Sequence, residues 1–136
     1  MLHRTATGLA TGLIGQGPLY NALIESFAVH LRNLIDFLYE EKTEAKPDWI
    51  FAQDYFSDPQ EWILARPDKS EILKKAEIKA HKQVAHLTYV RRKKEPWRFI
   101  EIMDEIYRPL SVFINKIDRG LLGDFFGPIE FLFPRP

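Results

Sequence analysis

Two short runs hold most of the side chains suited to acid–base or phosphate chemistry. One contains His30, Arg32, Asn33 and Asp36; the other contains Lys79, His81, Lys82, Gln83, His86, Thr88 and Tyr89. On a helix, at about 100° per residue, Glu25, Arg32 and Asp36 project along one line, and the four-residue step from Arg32 to Asp36 permits an ion pair. The same geometry sets His86 beside Lys79, Lys82 and Gln83. Neighbouring lysines disfavour an imidazolium, so this ring stays neutral and able to accept a proton near neutral pH. His86 is therefore a candidate proton acceptor, and Arg32, Asn33, Asp36, Lys79, His81 and Gln83 are the candidate polar network around it. The plainer reading is a solvated salt-bridge ladder of small energetic value beside a boundary histidine hydrogen-bonded to another helix.

Other chemistries fit less well. His81 and His86 are turned about 140° from each other on a helix, whereas two metal ligands on one face need a spacing of three or four. No metal and no cofactor are expected. Ser70 has no local base, and no glycine-rich phosphate loop occurs. The run Arg91, Arg92, Lys93 and Lys94, near Tyr89 and Trp97, is a candidate grip for an RNA backbone with an aromatic nearby for a base. A basic run at a helix end also serves dipole compensation.

The elements that must position these groups are legible in the apolar spacing. Tyr20, Leu23, Ile24, Phe27, Leu31, Leu34, Ile35 and Leu38 recur at threes and fours, which predicts a helix from Pro18 to about Lys42. Pro18 suits its first turn, where a missing N–H costs nothing. A second helix begins after Asp68 or Ser70 and runs to about residue 92, with Ile72, Leu73, Ala76, Ala80, Val84 and Leu87 on its inner face. Asp68 and Glu71 have capping-box spacing. A third begins near Pro96 and Trp97 and ends at Gly120, with Met103, Ile106, Tyr107, Leu110, Phe113, Ile114 and Ile117 inward. Pro109 should kink or split it.

Between the first two, residues 43 to 68 carry three prolines that bias their predecessors to extended backbone. Trp49, Ile50, Phe51, Tyr55, Phe56 and Trp62 are too much apolar surface to leave in water, so this connection should fold back and cap the bundle. A turn or two of helix follows Asp58. The expected fold is all-α: an up-and-down bundle of three long helices with a short extra helix and a capping aromatic loop. Residues 1–17 form a loose arm or a short helix near Thr7 to Ile14, residues 18–119 the bundle, and residues 120–136 an aromatic tail against the bundle or a dimer partner.

Composition agrees with a single globular domain. The chain has 136 residues, 46% of them hydrophobic and 13% aromatic, enough for one core. Nineteen basic residues balance nineteen acidic ones, so no overall field draws it to a polyanion or an anionic membrane. There is no cysteine, which excludes disulfides and thiolate chemistry. No apolar run has the length of a membrane span, and Thr-Gly steps interrupt the only stretch resembling a signal peptide. The expected location is cytoplasmic.

Three stretches, ESFAVHLRNLIDFLYEEK (25–42), DYFSDPQEWILARPDKSEIL (54–73) and AHKQVAHLTYVRR (80–92), together resemble a widespread group of bacterial helical-bundle proteins with no assigned role. More distantly the chain looks like HEPN domains, the helical modules of toxin–antitoxin, abortive-infection and CRISPR-associated systems. That resemblance implies a homodimer and, in active members, a metal-independent RNase whose motif is an arginine, four to six residues, and a histidine. There a histidine and a cation promote attack of the ribose 2′-hydroxyl on its own phosphate. His86 matches the motif histidine, and with Lys79 and Arg32 as cations it makes the candidate catalytic set that the resemblance implies. The arginine does not match: its three allowed positions hold Lys79, Ala80 and His81, and lysine lacks the bidentate fork that suits phosphate. Arg32 and Asn33 could supply a guanidinium across the bundle. The resulting expectation is a HEPN-like interaction or scaffold module without catalysis, with the RNase as alternative. Its expected partners are a second copy and possible RNA, with no membrane and no metal.

Overall fold

The computed structural model describes residues 2–12, 15, 17–44, 46–82 and 96–118, and all its elements there are helical. They are α1 (Leu2–Ala10), α2 (Pro18–Tyr39), a 3-10 turn (Ala52–Tyr55), α3 (Pro59–Ala65), α4 (Glu71–Ala80) and α5 (Phe99–Lys116). The all-α expectation holds for the described residues.

Helix α2 is the spine. Pro18 occupies its first turn, and Phe27, Leu31, Ile35 and Leu38 are completely buried along its predicted stripe. It ends at Tyr39 rather than near Lys42, because α3 takes its last carbonyls. The Trp62 indole N–H donates to Leu38 O at 2.9 Å and the Arg66 guanidinium to Tyr39 O at 2.9 Å. These groups satisfy acceptors that a helix end otherwise leaves orphaned, and Glu40 turns to extended backbone.

Helix α1 lies earlier than the short helix expected at Thr7 to Ile14, because Gly12, at φ +64°, supplies the left-handed residue that stops it. Thr5, Ala6 and Leu9 are buried where α1 packs on α2 and α5. The Asp58 side chain caps α3 by accepting from Gln60 N–H at 2.9 Å. Ser70, not Asp68, caps α4, accepting from Leu73 N–H at 3.3 Å.

Helix α5 runs through Pro109 without splitting. Pro109 has no N–H to give the Glu105 carbonyl, and its ring is buried in the core instead. The predicted end at Gly120 lies outside the described residues; α5 stops at Lys116, with Ile117 buried just beyond. The second helix is described only as far as Lys82, where the backbone widens into a π turn at His81 and Lys82.

The connection folds back as expected, around Phe113. The rings of Phe37, Tyr55, Phe56 and Trp62 surround it with centroids 5.2–6.1 Å away, most of them edge-on, the arrangement aromatic quadrupoles favour. Two of its large residues do not join. Trp49 is 47% exposed and Ile50 66%, since the 3-10 turn that follows directs Phe51, Ala52 and Gln53 inward instead.

Candidate functional site

The packing of α4 between α2 and α5 leaves a hollow on either flank among the described residues, and the polar residues singled out in the sequence are spread over the two, with Lys82 lining both. A cleft of about 440 Å³ between α2 and α4 is lined by Arg32, Asp36, Glu40, Lys46, Trp49, Glu77, Ile78, His81 and Lys82. A groove of about 400 Å³ between α4 and α5 is lined by Glu71, Ile72, Lys75, Ala76, Ile78, Lys79, Lys82, Pro96, Trp97, Arg98 and Ile102.

Arg32 and Asp36, aligned by the helical projection, line one cleft, and His81 lines it with them. Lys79 does not join them. Its ammonium donates to Pro96 O at 3.1 Å and lies 4.6 Å from the centre of the Trp97 ring, on the α5 side of α4. Asn33, one residue and about 100° beyond Arg32, is exposed and outside the cleft, and His30 is exposed as well. His86, Gln83, Thr88, Tyr89 and the run Arg91, Arg92, Lys93 and Lys94 lie outside the described residues.

Within the cleft the charges balance. Three cations, Arg32, Lys46 and Lys82, face three carboxylates, Asp36, Glu40 and Glu77. Most of them are paired. Lys46 Nζ donates to Glu40 Oε2 at 2.6 Å while also lying 4.5 Å from the centre of the Trp49 ring. Lys69 reaches both carboxylate oxygens of Glu77, at 2.9 and 3.0 Å, and so ties the start of α4 to its middle. Arg32 Nε stands 3.9 Å from Asp36 Oδ2, a Coulombic contact beyond hydrogen-bond range. That nitrogen is buried with no hydrogen-bond partner.

Asp36 feels the consequence. Its carboxyl is held above its ordinary value of 3.8, first because burial disfavours the charged form and then because Glu40 and Glu77 repel it, while Arg32 and Lys46 oppose the rise. Behind the cleft, Tyr39 has a buried hydroxyl with no hydrogen-bond partner, and burial pushes its acidity down, that is, its pKa up. The Lys69 ammonium and the Arg66 guanidinium lie 5.2 and 5.9 Å from the centre of its ring.

The cleft residues that sequence reasoning passed over are Glu40, Lys46, Trp49 and Glu77. Glu77 carried a signal, since it precedes His81 by four residues and shares its face. Lys46 and Trp49 carried none, because they sit in the connection and reach the cleft only through its fold. Among the described residues no group of three His, Asp or Glu side chains is placed to hold a metal ion, and no described helix is long and apolar enough to cross a membrane.

The cleft thus offers a partly protonatable carboxylate, an imidazole and an incompletely bonded guanidinium in a field close to neutral. Such a set can exchange protons and fix helix register, and among the described lining residues its cations and carboxylates are equal in number. Comparison with known proteins found no family model, no curated protein and no solved structure that matches the chain.

Proposed function

We propose that this chain is a HEPN-like interaction or scaffold module without catalytic activity. In this reading it is an up-and-down bundle built on three long helices, near residues 18–42, 69–92 and 97–119, that works in the cytoplasm as a homodimer. The charge balance of the α2–α4 cleft carries the reading: its three cations meet three carboxylates, and Lys79, the cation expected beside His86, is turned toward Trp97. Paired groups of this kind hold one helix in register on another. A phosphate entering the cleft would have to displace Glu40 from Lys46 and approach Asp36. The homodimer follows from the resemblance and from the four phenylalanines of the tail, whose exposure on a monomer would leave a large apolar patch.

A second reading, a metal-independent RNase, has one observation in its favour: the Arg32 guanidinium lines the cleft and its buried Nε has no hydrogen-bond partner, so the group is not fully satisfied by the protein. Its base is His86, its further cation Lys79, and its RNA contacts Arg91, Arg92, Lys93 and Lys94.

Labelled single-stranded RNA incubated with the protein in EDTA separates the two. The scaffold reading expects intact RNA. Cleavage that disappears in both His86→Ala and Arg32→Ala would replace it with the nuclease. Sedimentation at graded concentrations tests the homodimer, which a purely monomeric distribution removes.

A further inference from the structure

The groove between α4 and α5 has apolar walls and a rim whose charges are mostly engaged. Ile72, Ala76, Trp97 and Ile102 line it, together with Ile78, which is 52% exposed. Arg98 is bridged to Glu101 at 2.6 Å, Glu71 to Lys74 at 2.7 Å, and Lys79 donates to Pro96 O. What the groove offers is therefore apolar surface, so an apolar side chain rather than an ion gains by entering it. Helix α5 begins at its mouth, and the outward face of that helix carries Ile100, which is 51% exposed, then Asp104 and Arg108, both exposed and one turn apart. Arg108 stands 3.6 Å from Glu105, too far for a hydrogen bond, and its fork keeps donors for a second carboxylate.

We infer that a second copy of the chain covers this groove, the two α5 helices lying antiparallel and the apolar stretch 125–133 of each copy seated in the groove of the other. The inference deepens the homodimer reading and rests on it. Asp104 and Arg108 carry opposite charges on one face, so a two-fold axis passing between them sets each Asp104 opposite the Arg108 of the second copy, twice over. The same register brings Lys116 of one copy level with Pro96 and Trp97 of the other, at the mouth of the groove. The chain that follows carries Phe125, Phe126, Ile129, Phe131, Leu132 and Phe133, and it arrives there without reversing. To reach its own groove it would have to turn back and pass along α5 from Lys116 to Ile102, about 21 Å at 1.5 Å per residue. The α2–α4 cleft is a poorer seat, because six charged side chains line it and a phenylalanine there would strip them of water. Each copy gives one such stretch and accepts one, so the contact closes at two chains.

The chain has no cysteine, so Glu130→Cys provides a single site for a nitroxide label. Isotope-labelled chains without nitroxide are mixed with unlabelled chains that carry it. The amide NMR signals of Ile72, Ala76, Trp97 and Ile102 should then lose most of their intensity. Asp104→Lys, at an exposed position, should raise the dimer dissociation constant in sedimentation by about tenfold, the effect of placing like charges across an interface. Adding Arg108→Glu, which exchanges the two charges, should restore it. Four outcomes overturn the inference while leaving the homodimer standing: a dimer whose groove signals are untouched in the mixture, broadening confined to chains carrying nitroxide and isotope together, a charge reversal without effect, or an exchange that restores nothing. A purely monomeric distribution removes both.

Discussion

Trp62 shows how one side chain ends one helix while belonging to another. It is 1% exposed, and its N–H holds Leu38 O. Trp62→Phe should leave that carbonyl unpaired and a gap beside Phe113, at a cost of about 2–4 kcal/mol, read as a lower urea midpoint with unchanged m-value. Asp36 makes a prediction of opposite sense. Its folded pKa lies above the ordinary 3.8, so between those two values the folded state binds more protons than the unfolded one, and stability falls as pH rises through that interval. Asp36→Asn abolishes the fall: relative to the variant, the parent should lose stability from about pH 4 upward and then level off, as followed by denaturation at stepped pH. Arg32→Gln removes a group that lowers the Asp36 pKa, so the Asp36 carboxyl titration in NMR should move still higher. Side-chain spacing on α2 disclosed that Arg32 and Asp36 pair; it carried no sign of Lys46 or of the course of Lys79 toward Trp97, since both depend on contacts across connections.

At the level of elements, what the sequence disclosed divides along the same physical line. The α2 stripe, the Asp58 cap and the start near Ser70 are local, set by apolar period and capping chemistry, and they occur as expected. The C-terminus of α2 is not local, because Trp62 and Arg66 decide it from 24 and 27 residues away. The place of α1 turned on which Thr-Gly step acts as its stop, and Gly12 does. Periodicity gives no ranking of such steps. Ser70→Ala removes the acceptor for Leu73 N–H and should cost about 1 kcal/mol, with Ser70→Gly losing only a few tenths; thermal melts followed by circular dichroism distinguish the two.

For the whole molecule, the unforeseen contribution is α1. A segment whose sequence predicts a loose arm or short helix seats Ala6 and Leu9 in the main core against α2 and α5. Deleting residues 2–12 should therefore lower the unfolding free energy by about 3 kcal/mol, the scale of burying one leucine plus smaller groups, and chemical denaturation checks it. The absence of net charge is legible from composition.

The rings about Phe113 join positions 37, 55, 56 and 62 to a residue close to the end of α5. During synthesis, Phe37, Phe56 and Trp62 leave the ribosome long before the ring they close upon. The half-made chain must carry them uncovered, so nascent copies are where chaperone capture or premature association of this protein would concentrate.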